Sequence, residues 1–140
     1  MKKAVKLKFN EITVGSIHKF KKKISVADVK AFASLSGDFN PLHVDKEYAS
    51  KTKFGRNIVH GMLAGSLFST LVGMYCPGEK NLYLSQSLFF KKPIFIDEEI
   101  TVRGTIINKN DSIKLINIKT EILRSDEILI TGEAKVTLLE

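Results

Sequence analysis

The segment Ser36–His43 carries the residues of this chain that could do acid–base chemistry, because it places a carboxylate, Asp38, five positions before an imidazole, His43. On a straight helix this spacing would direct the two side chains away from each other. Pro41 lies between them, which predicts that no helix passes through and pushes Asn40 towards extended backbone. A curved loop can point both side chains at one small volume, as proton transfer around a single water requires. These residue types also form ordinary turns, so a plain turn is the competing interpretation.

The segments on either side predict how this loop is held. Ser25 and Asp28 form a capping-box pattern, which predicts a helix from Val26 to about Leu35. Gly37 permits a sharp exit from that helix. After the loop, Asp45 is expected to cap a short helical turn over residues 46–49, and a polar loop follows from residue 51 to residue 57.

A long apolar stretch, Val59–Tyr75, predicts a helix that is buried on most sides. Small residues recur along it every four positions: Gly61, Gly65, Ser69 and Gly73. Glycine costs about 1 kcal/mol in a helix interior relative to alanine, so we expect another segment to pack close to this backbone. Gly61 opens the helix, where free N–H groups and the helix dipole favour an oxygen that gains negative charge.

The remaining segments predict β-structure. Extended segments are expected at Val5–Val14, Ile17–Ile24, Leu82–Lys92, Glu99–Asn108, Ser112–Leu123 and Ile128–Leu139. Turns are expected at Gly15–Ser16, Asn108–Asp111 and Arg124–Glu127. Consecutive strands with short turns indicate an antiparallel sheet, which must curl around the one buried helix. The pattern therefore predicts an α+β hot-dog fold.

Composition narrows the class of protein. A length of 140 residues suits a single domain, over residues 1–140, with a substantial core. The single cysteine, Cys76, excludes an internal disulfide and predicts a cytoplasmic protein, and neither a targeting signal nor a membrane span is expected. The formal net charge of +7 suits polyanionic partners, but a solvated lysine-rich face is the favoured interpretation, and no nucleic-acid-binding pattern accompanies the charge.

Three segments in order resemble the MaoC-like dehydratases, in particular the (R)-specific enoyl-CoA hydratase or hydratase 2 group. They are Leu35–His43, Ile58–Leu63 and Gln86–Pro93. The resemblance covers roughly Ile12 to the C-terminus, and one departure is Ile96–Glu99, where relatives usually carry Gly-Asp. It implies a hot-dog homodimer that catalyses reversible syn hydration of trans-2-enoyl thioesters to (3R)-hydroxyacyl thioesters.

The resemblance also implies roles for individual residues. Asp38 and His43 become the catalytic dyad, and the backbone N–H of Gly61 meets the thioester oxygen. Substrate-binding or site-supporting roles fall to Asn40, His60, Met62 and Ser69, with Asn40 supporting the loop, His60 bracing the helix start and Ser69 lining the site. No metal and no redox cofactor is expected, because the thioester itself accepts the charge. The division of labour between the two dyad residues stays open.

Several alternatives stay open at this stage. The acyl carrier could be CoA or an acyl carrier protein, which would make the chain a (3R)-hydroxyacyl-[acyl-carrier-protein] dehydratase. Arg56, Lys91 and Lys92 are candidates for phosphate contacts, although a solvated surface side chain is the favoured interpretation for each. A hot-dog thioesterase is disfavoured because residues 58–75 contain no acid, and a non-catalytic acyl- or nucleic-acid-binding module is disfavoured because the dyad is intact.

Overall fold

The computed structural model describes residues 1–139. Its helices are α1 (Val26–Ser36), α2 (Pro41–Val44), α3 (Lys46–Ser50), α4 (Gly61–Gly65) and α5 (Leu67–Thr70). Its strands are β1 (Ile17–Lys23), β2 (Asn81–Gln86), β3 (Phe89–Phe90), β4 (Glu99–Asn110), β5 (Leu115–Arg124) and β6 (Glu127–Leu138). A 3-10 turn covers Phe9–Glu11, and a π-helical turn, Leu71–Tyr75, follows α5.

The strands form one antiparallel sheet in the order β1-β4-β5-β6-β2, with the short β3 also paired to β6. The predicted antiparallel arrangement of consecutive strands with short turns is confirmed for β4, β5 and β6. Alternate residues of these strands face the helical segment 61–75, and Phe68 and Leu71 pack with Val102 and Ile122 in one core cluster. All four side chains are at most 1% exposed, so the sheet wraps around the helix, and the predicted hot-dog fold is confirmed.

The central helical segment is less regular than the predicted single helix. It starts at Gly61, as predicted, two residues inside the apolar stretch Val59–Tyr75, and consists of α4, α5 and the π-helical turn in succession. Close packing against small residues is confirmed at the first two positions. A Cβ on Gly61 would lie 2.9 Å from the Phe90 ring, and one on Gly65 would lie 3.1 Å from Leu88. At Gly73, no described residue outside the local helix backbone lies within 4 Å of the equivalent position, so the close packing does not continue there.

The predicted extended segment Val5–Val14 is wrong. Only Lys6 forms an isolated bridge, to Gly78, and the chain turns at Phe9–Glu11. The side chain of Glu11 accepts a hydrogen bond from the Lys8 N–H at 2.8 Å, which favours the turn over continued strand. The alternation of apolar residues and lysines here does not reflect strand pairing.

Two strand boundaries also differ from prediction. The turn predicted at Asn108–Asp111 is wrong, because β4 continues to Asn110 and the chain reverses over residues 111–114. The Asn110 side chain accepts the N–H of Ser112 at 3.1 Å, so the asparagine forms the turn from its first position. The predicted segment Leu82–Lys92 divides into two strands, β2 and β3. Between them, Ser87 passes so close to Gly132 that a Cβ on Gly132 would collide with the Ser87 carbonyl.

The departure from the resembled family at Ile96–Glu99 has a clear backbone consequence. Asp97 has a φ of 65°, in the left-handed region that favours glycine, and its N–H donates to the Ile24 carbonyl at 2.9 Å. Aspartate tolerates this conformation better than most residues. The turn therefore forms without the glycine. Within residues 1–139, no helix combines the length and the apolar character needed to cross a membrane.

Candidate active site

Helix α1 begins and ends where the sequence predicts. The Ser25 hydroxyl accepts the Asp28 N–H at 3.1 Å, and the Asp28 carboxylate accepts the Ser25 N–H at 3.0 Å, which completes the capping box. Gly37 is the C-cap, with a φ of 82°, and its N–H donates to the Ala33 carbonyl at 2.8 Å. These two caps fix the point at which the chain enters the loop.

The prediction that Pro41 excludes a helix is wrong. Pro41 is the first residue of α2, a position whose N–H needs no partner and whose φ suits the proline ring. Asn40, with φ −52° and ψ 127°, is the N-cap, and its side-chain oxygen accepts the Leu42 N–H at 3.0 Å. The loop thus ends within four residues, and His43 lies on a short helix. The predicted cap at Asp45 is confirmed, since its carboxylate accepts the Tyr48 N–H at 3.0 Å.

Asp38 lies in the exposed loop between α1 and α2. One carboxylate oxygen, Oδ1, accepts the N–H of Asn40 at 3.1 Å, and the Asp38 N–H donates to the Ser36 hydroxyl at 3.1 Å. Among residues 1–139 the second carboxylate oxygen has no hydrogen-bond partner. One oxygen therefore holds the loop, and the other is available to a ligand.

The hydrogen bond at Nδ1 of His43 sets the tautomer of this imidazole. Nδ1 lies 2.8 Å from the Ile58 carbonyl oxygen, and because a carbonyl only accepts, Nδ1 carries the hydrogen. In the neutral ring the lone pair is consequently on Nε2. His43 is half-buried, so this nitrogen can accept a proton from a bound molecule.

His60 lies under His43 and joins the parts of the site. The two rings stack at 4.0 Å between centroids, with 29° between their planes. Nε2 of His60 donates to the backbone carbonyl of Asp38 at 3.0 Å, while Nδ1 is buried and has no hydrogen-bond partner among the described residues. The side chain is only 2% exposed, and His60 is also the N-cap of α4. It contacts the Asp38 loop, the His43 ring and the helix start at once.

Gly61 opens α4 directly after this histidine. The first intrahelical bond of α4 runs from the Ala64 N–H to the His60 carbonyl, and the Gly61 N–H meets no acceptor in the described part of the chain. On the Cβ side of Gly61 the Phe90 ring fills the space. The backbone donor is therefore unpaired and lies beside an aromatic wall.

All these groups line one cavity of about 560 Å³. Asp38, His43 and His60 offer side-chain donor atoms that lie within 4.8 Å of one another. The buried floor is apolar, with Val59, Ala64, Ile94 and Ile130 at most 4% exposed, and the exposed lysines Lys53, Lys91 and Lys92 lie at the rim. An apolar cavity with a few convergent polar groups is the usual form of a small-molecule site.

The three clustered side chains do not form a good metal site. An imidazole binds a metal through a lone pair that lies in its ring plane. The rings of His43 and His60 are stacked with only 29° between their planes, so the two lone pairs lie in separate, nearly parallel planes. Their free nitrogens therefore do not converge on one ion. One of the Asp38 oxygens is already engaged by the loop.

The remaining predicted residues take different positions. Met62 lines the cavity and is 59% exposed, whereas Ser69 is exposed on α5 and lies outside the cavity, as does Asn40. Arg56 lines a second cavity of about 550 Å³ that His43 also lines. Lys92 pairs with Glu127 at 2.9 Å, which leaves Lys91 and Lys53 as the rim lysines without a described acidic partner.

Sequence reasoning missed two contributors. The carbonyl that sets the His43 tautomer belongs to Ile58, fifteen residues away. A backbone carbonyl acts independently of its side chain, so the residue type gives no indication of this role. Phe90 belongs to the quoted segment Gln86–Pro93 but received no function. Because neighbouring residues on a strand face opposite sides, an extended Phe89–Phe90 pair predicts that one of the two rings faces the core or the site.

Known proteins resemble the chain over nearly its whole length. Residues 9–127 match the family model described as MaoC like domain. The (R)-specific enoyl-CoA hydratase of Aeromonas caviae is 42% identical over 128 residues, which are 91% of this chain and 96% of that protein. A mitochondrial 3-hydroxyacyl-[acyl-carrier-protein] dehydratase of Arabidopsis thaliana is 34% identical, over 91% of this chain and 78% of its own length.

Solved structures agree with the sequence relatives. The (R)-hydratase of A. caviae has a TM-score of 0.88 at 42% identity and matches 91% of this chain and 98% of its own. The unliganded R-hydratase of Pseudomonas aeruginosa has a TM-score of 0.90 at 31% identity, over 94% of this chain and 85% of its own. The chain therefore belongs to the MaoC-like dehydratase family, as its three sequence segments predict.

Proposed function

We propose that this chain is an (R)-specific enoyl-CoA hydratase, a hydro-lyase that reversibly adds water to trans-2-enoyl thioesters and forms (3R)-hydroxyacyl thioesters in fatty-acid metabolism. The observation that carries the proposal is the lining of one apolar cavity by the Asp38 carboxylate, the His43 imidazole and the Gly61 backbone. The likeness to hydratases at 42% and 36% identity supports the same reaction class.

The first requirement of this reaction is a place for negative charge. When hydroxide adds to C3, electrons move through C2 and C1 onto the thioester oxygen. The unpaired N–H of Gly61 is the donor for that oxygen, at the positive end of the central helical segment. A preorganised donor of this kind is worth roughly 3 kcal/mol of transition-state stabilisation.

The second requirement is proton transfer on one face of the substrate. With Asp38 ionised and His43 neutral in the tautomer set by Ile58, the free carboxylate oxygen and Nε2 both accept hydrogen bonds. A water between them therefore points its two hydrogens at the dyad and a lone pair at C3. One dyad residue takes a proton from this water as the C3–O bond forms.

The proton balance then closes without any other donor. Neither dyad residue carries a transferable proton at the start, so the proton delivered to C2 is the one just taken from water. An O–H bond breaks, and C3–O and C2–H bonds form on the same face, which gives syn addition. No metal or redox cofactor is required, because the thioester oxygen holds the charge between the two steps.

The test is hydration of crotonyl-CoA, followed as loss of the enoyl absorbance, with the configuration of the product determined by chiral analysis. We expect the (3R) alcohol. No loss of absorbance with short- or medium-chain thioesters on either carrier would refute the proposal. Release of free thiol, detected with a thiol-reactive dye, would indicate the thioesterase alternative instead.

A second candidate is (3R)-hydroxyacyl-[acyl-carrier-protein] dehydratase. Two relatives with this description are 34% and 35% identical over most of the chain. The lysines Lys53 and Lys91 at the cavity rim suit either the phosphates of CoA or an acidic carrier protein. Turnover of matched C4 to C8 substrates on both carriers distinguishes the two candidates.

We further propose that the enzyme is a cytoplasmic homodimer. Strand β2 is an edge of the sheet, and Leu82 and Leu84 on it are 48% and 54% exposed. An unpaired edge with exposed apolar side chains favours pairing with another copy. Size-exclusion chromatography with light scattering should give twice the chain mass, and Leu84→Lys should shift it towards the monomer.

A further inference from the structure

Phe90 contacts the backbone of the residue that carries the oxyanion donor. A Cβ placed on Gly61 would lie 2.9 Å, 3.0 Å and 3.4 Å from three carbons of the Phe90 ring. Distances near 3 Å are too short for a real carbon–carbon contact, so the ring occupies the volume that a side chain at position 61 would need. The ring and the glycine are matched to each other.

The orientation of Phe90 follows from its strand. In β3, Phe90 pairs with Ile130, and Phe89 pairs with Thr131. Neighbouring residues of a strand face opposite sides of the sheet. Phe90 and Ile130 accordingly line the active-site cavity, whereas Phe89 lines a separate depression of about 290 Å³ together with Ile107 and Lys119.

The position of the substrate can be placed relative to this ring. A thioester oxygen that accepts the Gly61 N–H lies about 2.9 Å from the nitrogen, so C1 and C2 of the acyl group lie within a few ångströms of the Gly61 backbone. The Phe90 ring fills one side of that backbone. It is therefore a wall beside C1 and C2, and not beside the far end of the acyl chain.

We propose that Phe90 determines specificity at C2: its ring restricts the site to enoyl thioesters with hydrogen at C2 and excludes those with a methyl branch there. The inference rests on the proposed hydratase function and on the Gly61 oxyanion contact. The Phe90 side chain is 52% exposed and lines the cavity, and its ring fills the space beside the Gly61 backbone. A methyl at C2 has to displace the ring or lose the Gly61 hydrogen bond.

The test compares crotonyl-CoA with 2-methylcrotonyl-CoA as substrates for the wild type, Phe90→Ala, Phe90→Leu and the matched control Phe89→Ala. The readout is the ratio of kcat/KM for the branched substrate to that for the unbranched one. One extra methyl group in a tight pocket is worth about 10- to 200-fold in kcat/KM. We expect the ratio to rise at least about 10-fold in Phe90→Ala, less in Phe90→Leu, and not at all in Phe89→Ala.

The possible outcomes separate the two levels of the proposal. An unchanged ratio in a Phe90→Ala protein that still hydrates crotonyl-CoA overturns the role of Phe90, as does equal use of both substrates by the wild type. If Phe90→Ala fails to fold, Phe90→Leu supplies the same comparison, and an unchanged ratio there also overturns it. A wild type that hydrates neither crotonyl-CoA nor the carrier-protein thioester refutes the hydratase function itself, and the inference falls with it.

Discussion

The stacked rings of His43 and His60 line one cavity, yet the two side chains differ in how deeply they are buried. Each donates one ring N–H to a backbone carbonyl, His43 to Ile58 and His60 to Asp38. His43 is half-buried on a short helix at the cavity, while His60 is 2% exposed and its second nitrogen has no partner among residues 1–139. The same side chain is therefore accessible from the cavity in one place and a buried support in the other.

Burial and access therefore separate two imidazoles that make similar hydrogen bonds, and the proposed function assigns the chemistry to the accessible one, His43. His60 is 2% exposed and its ring donates to the Asp38 carbonyl, so this side chain ties the Asp38 loop to the start of the helix. His43 is half-buried and lines the same cavity as the Asp38 carboxylate, so one bound water can contact both groups.

The largest effect on kcat is expected from substitution of His43, or of Asp38 beside it. His43→Gln and Asp38→Asn should each lower kcat for crotonyl-CoA hydration by roughly 10³-fold or more, since each removes one acid–base group. Circular dichroism and the unfolding midpoint should stay close to wild type for Asp38→Asn. A variant of either residue that retains a tenth of the wild-type kcat would show that the dyad assignment is wrong.

A smaller effect on kcat is expected from substitution of His60. His60→Leu removes the donor to the Asp38 carbonyl, so we expect unfolding free energy to fall by about 1–3 kcal/mol and kcat to fall with it. His60→Gln can keep an N–H donor and should recover much of the kcat. Urea unfolding and steady-state kinetics measure both quantities. Equal kcat in the two variants would contradict a role through the Asp38 loop.

The helix start beside His60 can be tested separately. Gly61→Ala places a methyl group 2.9 Å from the Phe90 ring, so the ring or the helix start must shift. We expect kcat to fall about tenfold, because the N–H donor moves relative to the thioester oxygen. The double variant with Phe90→Ala should recover part of this loss, and full additivity of the two effects would argue against steric coupling.

The smallest effect is expected at the cap that delivers the chain to the Asp38 loop. The pKa of Asp28 is lowered, first by the hydrogen bond from the Ser25 backbone and then by its hydroxyl and Lys22. Stability from this carboxylate is thus present at neutral pH and is lost as pH falls through the lowered pKa. Asp28→Asn should unfold at a lower temperature at pH 7, and the difference from wild type should shrink in acid. A constant difference would contradict the carboxylate's role.

The parts of the site that follow local rules were predictable from sequence. The capping box at Ser25, the exit at Gly37 and the helix start at Gly61 depend on residue type and near neighbours, and each is where the pattern places it. Pro41 obeys a local rule too, but proline both ends helices and begins them, and the pattern alone does not say which.

The remaining features depend on contacts between distant segments. The His43 tautomer is set by a carbonyl fifteen residues away, and the His60 contact with the Asp38 loop spans twenty-two. The Phe90 wall depends on the register of β3 against β6. The N-terminal apolar alternation was misleading for the same reason, since a strand needs a partner and this segment has only one bridge.

The two carboxylate oxygens of Asp38 differ in their contacts, and only one of them holds the loop. One oxygen holds the loop through Asn40, and an asparagine at position 38 would offer an acceptor in the same place. A single-nucleotide change can convert aspartate to asparagine, leaving the loop, the cavity and the fold while removing the carboxylate. Under the proposed function, a chain with asparagine at this position would keep the backbone and the cavity and would bind a thioester without hydrating it.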